Sequence, residues 1–366
     1  MRICVVGGGN IGTLLAAELA ASGYEVTVFT SKPERWSKDI TVYDIHHSLL
    51  AKGHIRCITN DLSTALHDQE YIFVTYPSDI QEAFTKKAVQ YTQAGTKYVM
   101  LPGYGGTEFL MDPVLQKGAI LVGFQRVHAI SRLIEYGHSV CMRGRKSSLQ
   151  MATYSYHDCD DQAIAEDMKS MFKLPVAILP NYLNITFTPS NPVLHTSRLY
   201  SMFKDYHEGI YYPENIAFYD GWTDFSSEVM LKLDNEVQEL CHSLSQLDLH
   251  YVKSLKEHYE SPNVPAMTYK LTHIESFHGI LSPMKKVEQG WVPDFSNRYF
   301  SDFTYGLDLL QQFAHVCQLN VPVMDKIMAW YRGVSDAHEH TINLRKYGIQ
   351  NEQDIFSKQH FTTFEA

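Results

Sequence analysis

The chain has 366 residues, 45% of them hydrophobic, and a formal net charge of −10. That length predicts two domains, each large enough to bury its own core. The acidic balance argues against nucleic acid as a partner, and no apolar run approaches bilayer-spanning length, so no membrane partner is expected either.

In chain order, the first signal is the run Arg2-Ile3-Cys4-Val5-Val6, a strand, ending in Gly7-Gly8-Gly9-Asn10-Ile11-Gly12. Gly7, Gly9 and Gly12 form G-x-G-x-x-G: a tight turn, an open approach for pyrophosphate, and close helix–strand packing. A helix over residues 10–22 follows, with Ile11, Leu14, Leu15, Glu18 and Leu19 at helical spacing. Its N-terminal N–H groups and dipole suit phosphate. Gly23 ends it, and Glu25-Val26-Thr27-Val28-Phe29 reads as the second parallel strand. Together these predict a dinucleotide site that includes Asn10 and Ile11. NAD-specific sites usually place an acid after this strand. Here Thr30, Ser31, Lys32 and Arg35 stand there instead. Two hydroxyls and two cations suit a 2′-phosphate, so NADP is the expected cofactor and NAD the alternative. Under the alternative, Lys32 and Arg35 are solvated surface charges and Glu34 turns inward.

Strands are expected at 71–75, 97–101, 119–123, 139–142 and 149–153, with a helix at 80–94. This alternation predicts a doubly wound α/β sheet of Rossmann type. The loops at Tyr76-Pro77-Ser78 and at 102–106 follow strand ends, where such sheets place ligands. Arg126 and Arg132 lie beyond the last of these strands and face substrate or solvent. The pattern then turns helical, with helices expected at 192–206, 224–245, 252–259, 302–318 and 323–331. The expected organisation is residues 1–183 as the dinucleotide-binding domain and 184–366 as an all-α substrate and catalytic domain. Tyr200, Met202, Phe203, Tyr211, Tyr212 and Trp222 have spacings more typical of core than of a pocket.

Six scattered cysteines without a C-x-x-C pair suit a reducing cytoplasm, with Cys4 and Cys317 read as core. The first strand begins at Arg2, so no signal peptide is expected. His46-His47 and His338-Glu339-His340 lack H-E-x-x-H spacing and read as surface histidines.

In the second half, Asn191-Pro192-Val193-Leu194-His195 marks a helix start, with Asn191 as cap and Pro192 at the first position. Asn191 and His195, four apart, share a face. The helix dipole there favours a neutral, proton-accepting imidazole. The plainer alternative makes Asn191 only a cap and His195 a core residue. Further on, Arg298-Tyr299-Phe300-Ser301-Asp302 leads into a helix with Ser301 or Asp302 expected to cap it. Arg298 suits a carboxylate clamp, and Asp302 suits an orienting bond to a histidine. A capped helix with a surface arginine is the other reading.

On these three motifs the chain resembles the opine dehydrogenases, the octopine/nopaline dehydrogenase group. The resemblance covers nearly the whole chain. It implies a dinucleotide domain joined to a helical domain with the active site between them. It also implies His195 and Asp302 as the catalytic pair, Asn191 as a polar catalytic partner and Arg298 as a substrate-binding residue. The implied reaction condenses an amino acid with a 2-oxo acid reductively, giving a secondary amine dicarboxylate. One departure stands out: Arg298 and Asp302 are four apart rather than five, and Thr304 replaces the usual proline. A ketopantoate-reductase-like ketone reductase and a non-catalytic nucleotide sensor are the alternatives. The first typically uses a lysine acid, and no lysine lies near His195. Helical second domains often pair, so a homodimer is compatible with the chain.

Overall fold

The structure, a computed structural model, describes residues 1–335 and 340–359. Its contacts divide the chain into a first unit, Met1–Thr186, and a second, Phe187–Lys358. The first unit carries β1 (Arg2–Val6), β2 (Glu25–Phe29), β3 (Asp39–Tyr43), β4 (Leu49–His54), β5 (Cys57–Thr59) and β6 (Tyr71–Val74). These are followed by β7 (Lys97–Met100), β8 (Ile120–Phe124), β9 (Ala129–Glu135), β10 (Ser139–Arg145), β11 (Leu149–Tyr154) and β12 (Val176–Ile178).

Eight of them form one sheet in the order β12-β11-β8-β7-β6-β1-β2-β5. Pairing is parallel from β5 across to β8, while β11 runs antiparallel to β8. β1 is central, and Ile3, Cys4, Val5 and Val6 are all fully buried, as a strand covered on both faces requires. Val5 pairs with Val28 on one side and Phe73 on the other. The chain therefore leaves β1 towards β2 and returns on the opposite side as β6. That reversal is the switch point at which doubly wound sheets bind ligands.

A second sheet, β4-β3-β10-β9, joins residues far apart in sequence through a parallel β3–β10 pair. Only part of β10 is expected from the sequence. Helix α1 (Asn10–Ala21) packs against this sheet as well as against the main one.

The second unit is built on helices Ser190–Phe203, Asp224–Ser243, Val264–Thr272, Asp308–Val316 and Pro322–Val334. It also holds a two-stranded hairpin, β13 (Met284–Val287) with β14 (Gly290–Pro293), absent from the sequence reading. Three expected helix starts differ. The His195 helix begins at Ser190 with Pro189 at the cap, so Asn191 lies inside the first turn and does not cap it. Pro192 is tolerated there because first-turn N–H groups have no intrahelical partner. The helix expected at 252–259 shrinks to the single turn Leu255–His258, because Ser254 accepts from the Glu257 N–H and starts it late.

The helix expected from 302 begins at Arg298. Asn297 caps it by accepting from the Tyr299 N–H, so neither Ser301 nor Asp302 is used as a cap. A wide π-helical turn, Phe303–Leu307, separates this short helix from Asp308–Val316. Among the described residues no helix is long and apolar enough to cross a membrane.

Candidate active site

The glycine loop fits a dinucleotide. Gly7 has φ +112°, and a Cβ on Gly12 would lie 1.9 Å from the Gly7 carbonyl oxygen, so helix and loop touch only because Gly12 has no side chain. A Cβ on Gly9 would meet nothing within 4 Å, which leaves the open approach that a pyrophosphate needs. Gly9 is the N-cap of α1 and contributes no side-chain cap, so the first-turn N–H groups remain for a ligand. Asn10 Oδ1 accepts from the Leu133 N–H at 2.8 Å, and the Asn10 carbonyl accepts from Ser131 Oγ. That side chain therefore fastens α1 to β9. Ile11 is half-buried in the first turn of α1. Tyr76 lies edge-on to Phe84 after β6, beside Gly7, and the exposed Pro77 caps the next helix, Ser78–Ala88.

The four residues after β2 divide. Thr30 is buried and its hydroxyl is taken up by the Tyr136 hydroxyl at 2.8 Å, with the Lys32 N–H also directed to it. Ser31, Lys32 and Arg35 are exposed. Arg35 lies over the Tyr136 ring at 5.1 Å and, among the described residues, pairs with no carboxylate.

In the second unit the structure brings His195 and Asp302 together. His195 Nδ1 and Asp302 Oδ2 are 2.7 Å apart, and both side chains are nearly buried, at 8% and 12% exposed. A carboxylate accepting from Nδ1–H fixes the tautomer and leaves Nε2 as proton acceptor. Nε2 meets the Tyr219 hydroxyl at 3.4 Å, the long end of hydrogen-bond range. Burial pushes that phenol well above its ordinary range, so Tyr219 stays protonated and donates. The imidazole packs on Tyr299 at 4.5 Å and edge-on to Phe218 at 5.6 Å.

Arg298 is exposed, lies over the Tyr299 ring at 4.9 Å and pairs with no carboxylate among the described residues. The four-residue spacing places Arg298 and Asp302 on one face of the same helical turn. Asn191 sits half-buried one turn before His195. His195 itself is on the second turn, so the Asp302 carboxylate, rather than the helix terminus, is its close charge.

Two residues that the sequence did not mark shape this site. Tyr219 comes from an irregular loop and carries no local signal. Its ring stacks on Phe277 at 4.1 Å. Arg198, one turn after His195, is buried and donates to the carbonyls of Phe218, Ala217 and Gly221 and to Ser226 Oγ. Burial without a carboxylate lowers its pKa to about 10. It holds the loop that presents Phe218 and Tyr219. Gly306 in the π-helical turn lets Pro192 approach, since a Cβ there would be 2.8 Å from the proline Cβ. That contact seats the Asp302 element against the His195 helix.

The remaining readings fall elsewhere. Cys317 is half-buried, at the end of the Asp308–Val316 helix rather than in the core, because its neighbours there are polar. His46 and His47 lie in the β3–β4 turn, where Asp44 accepts the His46 N–H. His338 and Glu339 lie outside the described residues, and His340 bonds Asp308. No group of three metal-ligating side chains is assembled among the described residues.

A dinucleotide-binding unit followed by a helical unit with an oriented histidine defines a two-domain NAD(P)-dependent oxidoreductase. Residues 178–335 match the family described as NAD/NADP octopine/nopaline dehydrogenase, alpha-helical domain. Residues 2–108 match the NAD-dependent glycerol-3-phosphate dehydrogenase N-terminus. The opine dehydrogenase of Haliotis discus hannai is 25% identical over 364 residues, covering 90% of this chain and 89% of that protein. An octopine dehydrogenase solved with NADH and L-arginine superposes with a TM-score of 0.81 at 22% identity, over 100% of this chain and 99% of that one. A yersinopine dehydrogenase with NADP+ bound superposes at 0.67 and 12% identity, over 98% and 99%. At those identities the structural likeness is one of fold. The helical unit therefore matches the octopine/nopaline dehydrogenase helical domain, and most of the chain is similar to opine and octopine dehydrogenases.

Proposed function

We propose that this protein condenses an amino acid with a 2-oxo acid at the expense of NAD(P)H, giving an opine-type secondary amine dicarboxylate, and that it works in the reducing cytoplasm. The observation that carries the site assignment is the His195–Asp302 pair at 2.7 Å, with Arg298 one turn before Asp302. The relative solved with NADH and L-arginine, and the same protein solved with NADH and pyruvate, carry the pairing of an amino acid with a 2-oxo acid. Residues 1–183 hold the nucleotide and 184–366 carry the proton chemistry.

Arg298 takes a substrate carboxylate on its free N–H edge. His195 Nε2 passes the proton released as the neutral amine adds to the ketone on to the carbinolamine oxygen, then delivers a second proton taken from solvent, so that this oxygen departs as water and leaves the protonated imine. Asp302 stabilises the imidazolium formed between these steps. The Tyr219 hydroxyl donates to Nε2 of the neutral imidazole before substrate arrives and turns to accept from Nε2–H once the ring is protonated. When bound, the dinucleotide supplies the hydride that reduces the resulting imine. The Gly7–Gly12 loop and the N-terminus of α1 hold its pyrophosphate.

We assign NADP(H) as the preferred nucleotide. Ser31, Lys32 and Arg35 stand exposed after β2 with no acid at the position that would repel a 2′-phosphate. Thr30 supports the turn from inside, with its hydroxyl engaged by Tyr136.

A matrix of amino acids and 2-oxo acids, followed by NADPH and NADH oxidation with product masses, tests the reading. Turnover that needs an amine, and a product heavier by the condensed amine, are expected. Reduction of a 2-oxo acid at the same rate without amine would overturn it in favour of a ketone reductase. In the same assay His195→Ala loses about 10²–10⁴-fold in kcat while nucleotide binding persists.

A further inference from the structure

The β9–β10 turn brings Tyr136 beside the glycine loop, 106 positions from Thr30 in sequence. Four contacts fix it there. Its hydroxyl pairs with Thr30 Oγ1 at 2.8 Å. The Trp36 ring meets its ring edge-on at 6.0 Å. The next residue, Gly137, accepts the Ser37 N–H at 2.9 Å, and His138 accepts the Thr41 N–H at 3.0 Å. A Cβ on Gly8 would come within 3.0 Å of the Tyr136 hydroxyl, so this side chain borders the nucleotide loop itself. On the ring face lies the Arg35 guanidinium, exposed and without a carboxylate among the described residues.

We infer that Tyr136 is a positioning residue of the dinucleotide site: its ring beds Arg35, and through Arg35 it sets the preference for a nucleotide bearing a 2′-phosphate monoester. The inference rests on the NADP(H) reading above. A guanidinium lying on an aromatic face keeps its N–H edge outward, free for two phosphate oxygens. The bed also removes side-chain freedom before binding, so less is lost when the ligand arrives. A 2′-hydroxyl carries no charge for Arg35 to meet, so the effect belongs to NADPH and not to NADH.

The test compares dissociation constants for NADPH, NADH and 2′,5′-ADP, by calorimetry on the full chain and on Tyr136→Ala, Tyr136→Phe, Arg35→Ala and the double alanine variant. The parent binds NADPH more tightly than NADH. Tyr136→Ala weakens NADPH and 2′,5′-ADP about three- to tenfold and leaves NADH unchanged. Tyr136→Phe keeps the π face and stays within about twofold of the parent. The double variant is no weaker than Arg35→Ala alone, because Tyr136 acts through Arg35. If Tyr136→Ala is too unstable to titrate, Tyr136→Leu fills the space without a π face and shows the same selective loss. An NADPH-selective parent whose Tyr136 variants weaken both dinucleotides equally, or neither, overturns this inference alone. A parent that binds NADH as tightly as NADPH overturns the nucleotide assignment and this inference with it.

Discussion

Asp302 owes its availability to a neighbour. Asn297 caps the short helix, which frees the Asp302 carboxylate from backbone N–H groups and leaves it for His195 Nδ1. The charge, more than the shape, is then what Asp302 contributes. Asp302→Asn keeps the side-chain volume but offers no countercharge to the imidazolium, and its amide can turn to present N–H where an acceptor is needed. The expected result is a loss of about 10²-fold in kcat with NADPH affinity unchanged, measured by steady-state kinetics beside a nucleotide titration. Near-parental kcat in Asp302→Asn would remove Asp302 from the mechanism.

At the scale of elements, the loop carrying Phe218 and Tyr219 has no regular hydrogen-bond ladder, and Arg198 supplies what a ladder would. Its planar fork reaches three carbonyls and one hydroxyl, a pattern that lysine's single ammonium does not reproduce. Arg198→Lys is expected to destabilise by about 2–4 kcal/mol through stranded carbonyls. It should lower kcat with little change in nucleotide affinity, checked by thermal unfolding and by kinetics at a permissive temperature. An unchanged melting temperature would show that the loop stands without Arg198.

Elements also mark the limit of what local pattern carries. The strand–glycine loop–helix run is legible because every part of it lies within thirty residues and each residue type has a local reason. His195 and Asp302 are legible as motifs, but their 2.7 Å contact joins two separate helices and needs the fold. The helix start at Arg298 differs from the expected one because several polar residues in that stretch make acceptable caps, whereas the start at Ser190 uses no side-chain cap at all, only Pro189. Most of the β4-β3-β10-β9 sheet lies beyond local pattern because its strands are half-exposed and pair across most of the first unit. Tyr136 and Tyr219 lie beyond local pattern for the same reason: each acts from a turn or loop placed by distant partners.

Across the whole molecule, each unit holds one carboxyl whose burial raises its pKa to about 7: Glu108 in the first and Asp234 in the second. In the unfolded chain both lose their protons near pH ~4. Between pH ~4 and ~7 the folded protein therefore holds protons that the unfolded chain has released. Stability then falls as pH rises through that window, by about 1.4 kcal/mol per pH unit for each group at most, and levels off above it. Glu108→Gln keeps the Thr186 hydrogen bond without the ionisation. It is expected to lose less melting temperature than the parent between pH 5 and pH 8, read by scanning calorimetry. Identical pH profiles for parent and variant would show that Glu108 ionises no differently when folded.

The attachment of α1 to the second sheet has a consequence for how the chain is made. The glycine loop leaves the ribosome well before the groups that fasten it. Asn10 waits for Ser131 and Leu133, and Glu18 waits for His128 and Arg145. At about 5–20 residues per second, those 123 positions between Asn10 and Leu133 take about 6–25 s to synthesise. Throughout that interval the nascent chain carries a complete nucleotide-binding motif with an unanchored helix and an uncovered apolar face. The stretch most easily recognised in the sequence thus acquires its final form only once Leu133 and Arg145 have been made.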